Sequence, residues 1–181
     1  GSGTFLIEAA QMSLNIQPGI ARSFAFEKLK NFDAAKWNEM RSQAIAAQLP
    51  PGPLEIYGSD LYGDALKTSW RNLDEAGLAE CVQLKQANVL EISAPAERGV
   101  LVANLPYGER MGELDELAEL YPKLGDALKK KFGGWTAYLF TADKAILKLM
   151  RLSPSKRTPL FNGAIECRLL EYKIVTGSNR G

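Results

Sequence analysis

Short apolar runs alternate with amphipathic segments along most of this sequence, and this alternation constrains the fold more than any other feature. The spacing predicts strands near residues 54–58, 82–86, 100–104 and 135–140, and helices near 62–76, 114–131 and 144–150. We expect the helix at 114–131 to kink or break at Pro122–Gly125. Strands that alternate with helices predict an open, mainly parallel, three-layer α/β sheet. Asn162-Gly163 joins two final strands, near 158–161 and 164–174, and predicts a hairpin that makes one edge antiparallel.

The run Val100–Ala103 ends abruptly at Asn104 and is followed by Pro106 and Tyr107. Its β-branched, apolar composition predicts a short buried strand. Because proline fixes the backbone, the residues after Asn104 are expected to form a rigid turn.

The chain begins with Gly1-Ser2-Gly3, and a helix is expected to start near Thr4. Backbone N–H groups at such a helix N-terminus suit an anionic or polar ligand. The same tripeptide is also common as the remnant of an expression tag, and no strand precedes it, although a nucleotide-binding turn requires one. Asp33 predicts the N-cap of a second helix reaching to about Leu49. Its inward face would carry Trp37, Met40, Ala44 and Ile45.

The composition bounds the class of protein. The 181 residues suit one domain, expected over residues 1–175, followed by a frayed tail at 176–181. A net charge of +1 gives no polycation signal. The absence of histidine excludes Ser-His-Asp and Cys-His catalysis within this chain and removes the usual zinc ligand, so no metal site is expected. Cys81 and Cys167 predict buried, reduced thiols, and without a membrane-spanning run the expected location is the cytoplasm.

Polar residues follow three of the predicted strands. In an open α/β sheet, ligands bind outside the carboxyl ends of the strands. Asp60 could accept both hydroxyls of a ribose or merely cap the next helix, and Leu61 could lie against an adenine face. Asn88 could contact an adenine edge through its amide or form a turn. The order of glycine turn, acid, polar residue and Asn-x-Pro-Tyr is far more specific than any single member.

With these residues in place, the chain resembles a known family. The motifs that carry the resemblance are Gly1-Ser2-Gly3-Thr4, Tyr57-Gly58-Ser59-Asp60, Asn104-Leu105-Pro106-Tyr107-Gly108-Glu109-Arg110, Phe132-Gly133-Gly134-Trp135 and Asn162-Gly163. They resemble the core of the bacterial 23S rRNA guanine-N2 methyltransferases of the large-subunit methyltransferase L type. The resemblance covers essentially the whole chain and implies the class I, Rossmann-like fold with S-adenosylmethionine as cofactor.

The resemblance also implies roles for single residues. The methionine moiety of the cofactor would lie against Gly1, Gly3 and Thr4, its ribose against Asp60 and its adenine beside Leu61 and Asn88. The target base would be received by Asn104, Leu105, Pro106 and Tyr107, with Asn104 also close to the cofactor. The resemblance further implies 23S rRNA as the substrate and an RNA-binding domain upstream.

This sequence departs from the family pattern in three places. Asn88 stands where the family has Asp, so an amide must orient its oxygen to accept a hydrogen bond. Leu105 replaces the first proline of Asn-Pro-Pro-Tyr, which loosens the backbone and keeps the carbonyl. The family's first strand and the acidic residue before the glycine turn are missing from this sequence.

Amino-group methylation fits these residues. If the Asn104 side-chain oxygen and the Leu105 carbonyl accept the two hydrogens of an exocyclic amine, its lone pair can aim at the sulfonium methyl; Tyr107 would stack on the base. Arg110, Lys156 and Arg157 are candidate contacts to the RNA backbone. Two alternatives stay open, namely methylation of adenine N6 or another amino group, and a non-catalytic RNA-binding fragment.

Overall fold

The computed structural model describes residues 1–106 and 113–175. The chain divides into two compact units, Gly1–Gln86 and Ala87–Gly181, and each is described by itself. The tail predicted at 176–181 lies outside the described residues, and a single domain over residues 1–175 stays a prediction.

The first unit combines three helices with a two-stranded parallel sheet. Its elements are α1 (Thr4–Ser13), α2 (Ala34–Ala46), β1 (Tyr57–Asp60), α3 (Gly63–Glu75) and β2 (Gln83–Gln86). The register runs from Tyr57 opposite Gln83 to Asp60 opposite Gln86, so both strands end at the same edge. The buried core of this unit consists of Ala10, Leu14, Leu73, Leu78, Cys81 and Val82.

Helix α2 begins after the predicted N-cap, because the Asp33 carboxylate accepts a hydrogen bond from the Lys36 backbone N–H at 2.9 Å. The expected inward face is wrong at two positions, since Met40 is 53% exposed and Ile45 is 52% exposed. Trp37 supplies the main contact of the helix instead, and its ring lies edge-on to Phe26 at 5.0 Å between centroids. One aromatic side chain therefore docks the helix and leaves the neighbouring apolar residues in solvent.

The second unit is built on a four-stranded mixed sheet. Its elements are β3 (Gly99–Asn104), α4 (Glu113–Lys131), β4 (Trp135–Thr141), α5 (Ile146–Leu149), β5 (Lys156–Asn162) and β6 (Ile165–Lys173). The strand order is β3-β4-β6-β5, with β3 and β4 parallel and the two pairs made by β6 antiparallel. The hairpin at Asn162-Gly163 is confirmed, and it places the antiparallel β5 at one edge. Parallel pairing is confirmed for β1–β2 and β3–β4.

Two local expectations about the second unit are wrong. Helix α4 runs through Pro122 without the expected break, because Tyr121, Leu124 and Leu128 form a stripe that is buried in the core, and a kink at Pro122–Gly125 stays a prediction. Strand β3 is not buried on both faces: Val100 is 61% exposed, while Leu101 and Ala103 pack against the core. Side chains alternate between the faces of a strand, and only the face of β3 that carries Leu101 and Ala103 is covered by the core of this unit.

Candidate functional site

The glycine turn leads directly into α1. Gly3 adopts φ +78°, a left-handed conformation that favours glycine, and its carbonyl accepts hydrogen bonds from the N–H groups of Leu6 and Ile7 at 3.0 Å. The first N–H groups of an α-helix have no intrahelical acceptor, so the turn presents donors to a ligand. The Ser2 and Thr4 hydroxyl oxygens lie 2.9 Å apart at the same point.

Two side chains of α3 hold this turn. The Ser69 hydroxyl donates to the Gly1 carbonyl at 2.7 Å, and the Asn72 amide donates to the Ser2 carbonyl at 2.8 Å. Neither residue is among the functional candidates predicted from the sequence. The available signal was Ser69 itself, a hydroxyl on the otherwise apolar inward face of a predicted helix.

Asp60 ends β1 and carries an ionised carboxylate. One oxygen accepts from the Tyr62 backbone N–H at 3.0 Å, and the other contacts the backbone nitrogen of Gly1. Partial burial by itself raises the pKa of Asp60, and hydrogen bonds from the backbone N–H groups of Tyr62 and Leu61 lower it. The contact with Tyr62 is a turn bond to the residue just before α3, and no side-chain hydrogen bond caps that helix, so the capping role that the sequence left open is wrong.

Leu61 follows at the surface and is 52% exposed, while the Gln86 amide donates to its carbonyl at 3.1 Å. The apolar side chain therefore stands beside Asp60 on a backbone that β2 holds in place. This position is compatible with the predicted contact to a flat aromatic ring.

Asn88 forms a turn at the start of the second unit. Its side-chain oxygen accepts from the Leu90 N–H at 2.9 Å, and its backbone carbonyl accepts from the Glu91 N–H at 2.9 Å. The Lys131 ammonium donates to the carbonyls of Leu90 and Glu91 at 2.8 and 2.9 Å and closes the turn against α4. The oxygen expected to face an adenine amino group is thus already engaged once, although an amide oxygen can accept a second bond. Contact with adenine stays a prediction.

Asn104, Leu105 and Pro106 lie at the carboxyl end of β3. The Leu105 N–H donates to the Phe140 carbonyl at 2.9 Å, which continues the parallel ladder one residue beyond the strand. The Leu105 side chain packs against the core, whereas Asn104 and Pro106 are exposed. The predicted sites Tyr107 and Arg110 lie outside the described residues.

The predicted RNA contacts Lys156 and Arg157 begin β5 and are exposed. Lys156 stands in register with Glu171, whose carboxylate accepts from Ser155 at 2.7 Å and from Tyr138 at 3.1 Å. These two hydrogen bonds hold the pKa of Glu171 below its ordinary value. A stable negative charge therefore lies beside Lys156, which leaves Arg157 as the stronger candidate of the two for a phosphate.

Among residues 1–106 and 113–175, no group of three or more Asp, Glu or Cys side chains could hold a metal ion. In the same ranges, every helix is too short or too polar to span a bilayer.

Comparison with known proteins gives a family match and close relatives. The family model of the RMKL-like methyltransferase domain matches residues 1–171. The ribosomal RNA large subunit methyltransferase K/L of Shewanella baltica (strain OS185) is 42% identical over 99% of this chain. The protein of the same name from Shewanella oneidensis is 40% identical over the same share. Each alignment covers 26% of the relative, so the chain spans about a quarter of the length of these curated relatives.

Solved structures match as well. SMU.472 complexed with SAH (S-adenosylhomocysteine) has a TM-score of 0.88 and 32% identity, covering 96% of this chain and 46% of that one. A possible methylase from Clostridium difficile 630 has a TM-score of 0.89 and 29% identity, covering 100% of this chain and 48% of that one. A protein from Listeria monocytogenes, described as a predicted N6-adenine-specific DNA methylase, has a TM-score of 0.83 and 30% identity, covering 95% of this chain and 44% of that one.

Proposed function

Because this chain belongs to the RMKL-like methyltransferase domain family and has the class I methyltransferase fold, we propose that it transfers a methyl group from S-adenosylmethionine to guanine N2 in 23S rRNA. The relatives are named as ribosomal RNA large subunit methyltransferases, which supports an RNA substrate. The observation that carries the proposal is the Asn104-Leu105-Pro106 segment, held at a strand end by the bond from the Leu105 N–H to the Phe140 carbonyl.

The described residues of the first unit fit S-adenosylmethionine. The glycine turn presents N–H donors to the polar methionine end, and Gly3 adopts the conformation that this turn requires. Asp60 is ionised at neutral pH, so its carboxylate can accept two ribose hydroxyls. We assign Gly1, Gly3 and Thr4 to the methionine moiety, Asp60 to the ribose and Leu61 to the adenine. In the second unit we assign Asn88 to the adenine and Asn104 to the end of the cofactor that carries the methyl group.

The acceptor segment would act by positioning. Bound S-adenosylmethionine supplies an electrophilic methyl group on its sulfonium. Asn104 accepts one hydrogen of the target amine through its side-chain oxygen, and Leu105 accepts the other through its carbonyl. Pro106 restricts Leu105 to an extended backbone, which agrees with the ladder bond made by the Leu105 N–H. A nitrogen held this way loses conjugation with the base and directs its lone pair at the methyl group, with Tyr107 stacked on the ring.

RNA contacts outside the target base are assigned to Arg110, Lys156 and Arg157. Arg157 is exposed at the start of β5 and can follow a phosphate backbone. The net charge of +1 is too small to hold RNA by itself. We therefore also propose that an RNA-binding domain precedes this segment in the full-length protein and delivers the substrate.

Methylation of adenine N6 is the second candidate, favoured by the description of the Listeria relative. Incubation with labelled S-adenosylmethionine and either 23S rRNA or DNA, followed by nucleoside analysis, separates the two. N2-methylguanosine from rRNA is the expected product. N6-methyladenine as the sole product would overturn the guanine assignment. If calorimetry detects no S-adenosylmethionine binding at millimolar concentration, the chain is a non-catalytic fragment.

A further inference from the structure

Helix α3 grips the glycine turn from the side opposite its N–H donors. Ser69 is 4% exposed, and its hydroxyl reaches the Gly1 carbonyl at 2.7 Å. Asn72 lies one turn further along the same helix face and reaches the Ser2 carbonyl at 2.8 Å. Two successive carbonyls of the turn are therefore tied to a single helix.

The two hydrogen bonds from α3 also fix the direction in which the N–H groups of the turn point, because the peptide group is rigid. In a trans peptide group, the C=O and the N–H point in opposite directions across a rigid plane. When the carbonyls of Gly1 and Ser2 point toward α3, the N–H groups of Ser2 and Gly3 point away from it. These donors join the first N–H groups of α1, and the set faces outward together.

The glycine turn packs closely against α3. A Cβ atom built on Gly3 would lie 3.1 Å from the Ser69 Cβ and 3.2 Å from its Cα, tighter than most real contacts. The backbone of the turn thus lies directly against the backbone of α3. Loss of either side-chain donor would leave a carbonyl unsatisfied at this contact and free the turn to rotate.

We propose that Ser69 and Asn72 are positioning residues for S-adenosylmethionine, fixing the N–H groups of the glycine turn that receive its methionine end. Neither side chain touches the cofactor. This inference rests on the proposed function, because it concerns the same cofactor site. It adds the requirement that α3 carry hydrogen-bond donors at positions 69 and 72, which the sequence of the glycine turn alone does not reveal.

The test compares Ser69→Ala and Asn72→Asp with wild type. The first variant removes only the hydroxyl, and the second keeps the shape of the side chain but cannot donate when ionised. Thr68→Ala is the matched control, since the Thr68 hydroxyl bonds only to the Asp64 carbonyl of its own helix among the described contacts. Calorimetry with S-adenosylhomocysteine gives Kd, and initial rates of methyl transfer give KM for S-adenosylmethionine and kcat separately.

Ser69→Ala should raise Kd and KM about fivefold to tenfold, the effect of one neutral hydrogen bond, and Asn72→Asp should raise them at least as much because its carboxylate also repels the Ser2 carbonyl; kcat at saturating cofactor should be unchanged in both. Thr68→Ala should match wild type in all three quantities. Wild-type affinity in both test variants would overturn the inference while leaving the proposed function intact. A fall in kcat with unchanged KM would also overturn it, and failure of wild type to bind would remove the cofactor assignment and this inference together.

Discussion

Gly125→Ala is the substitution for which the structure makes the sharpest prediction of stability. Replacing glycine by alanine inside a helix normally stabilises a protein by about 0.5–1 kcal/mol, because glycine loses more backbone entropy on folding. At Gly125 in α4 the sign is expected to reverse. A Cβ atom there would lie 1.9 Å from the backbone carbonyl oxygen of Met150, a residue with no exposed surface.

The magnitude follows from that distance. Ordinary contact begins near 3.4 Å, so the two atoms must separate by about 1.5 Å. Met150 caps the short helix α5, and its carbonyl is backbone, so no side-chain rotation relieves the overlap. Overpacking of this kind costs about 1–3 kcal/mol or more, which exceeds the gain in helix propensity. We expect the free energy of unfolding to fall by about 2 kcal/mol and Tm to fall by about 4–8 °C.

Chemical and thermal denaturation of wild type, Gly125→Ala and Gly63→Ala test this expectation. Gly63 begins α3, and the nearest atom to its Cβ position is a flexible Gln86 side-chain oxygen at 3.4 Å, so the same chemical change makes only ordinary van der Waals contact. Gly63→Ala should be as stable as wild type or slightly more stable. If Gly125→Ala is no less stable than wild type, the argument from the Met150 contact is refuted.

Three further predictions concern the site and its support. Asn104→Ala should abolish methyl transfer and leave the Kd for S-adenosylhomocysteine within about twofold of wild type, because the assigned role is to hold the amine; normal turnover would exclude that role. Asp60→Asn should weaken cofactor binding about tenfold or more. Since an Asp carboxyl group ordinarily titrates at about pH 3.9, wild-type affinity should be constant from about pH 7 to about pH 5 and fall only as the pH falls through the pKa of Asp60; a loss already at about pH 6 would contradict the carboxylate's assignment. Tyr121→Phe should lower the free energy of unfolding by about 1–2 kcal/mol, because it deprives Asp143 of the phenol that donates to it at 3.0 Å, and an unchanged denaturation midpoint would show that this bond contributes nothing.

The sequence was most informative where local chemistry decides the structure. Asn162-Gly163 forms the predicted hairpin because Gly163 adopts φ +60°, which a tight turn needs and glycine accepts without strain. Pro106 ends β3 close to where expected, and Asp33 caps α2 with its own carboxylate. In each case, one or two residues determine the backbone directly.

The sequence was least informative where packing overrides local preference. Pro122 cannot donate to the carbonyl four residues earlier, yet α4 continues through it because Leu117, Tyr121 and Leu124 gain more by burial than one hydrogen bond costs. The inward face of α2 was misjudged because a docking face depends on what lies opposite, and a helical pattern contains no such information. Met40 is the clearest case, since its position is periodic and its side chain is exposed.

The candidate site shows the same contrast between features set by local sequence and features set by contacts distant in sequence. The positions of Asp60 and Asn104 at strand ends were predictable, because strands and their ends follow from apolar periodicity. The grip of Ser69 and Asn72 on the glycine turn was not, because it joins residues about 70 positions apart through side-chain bonds. The engagement of the Asn88 oxygen by Leu90 was one of two alternatives that the sequence left open.

The parallel pairing of β3 with β4 has a consequence for the order in which the parts of the chain fold. Strand β4 is the partner of β3 within its sheet, and it begins about thirty residues after β3 ends, beyond the whole of α4. Pairing of strands so far apart in sequence must wait for closure of a long loop and is slow compared with helix formation. On a ribosome, Asn104 and Leu105 emerge well before Phe140, whose carbonyl anchors them. This segment therefore acquires its shape late, and a nascent chain already able to form α1 would still lack the backbone that we propose receives a base.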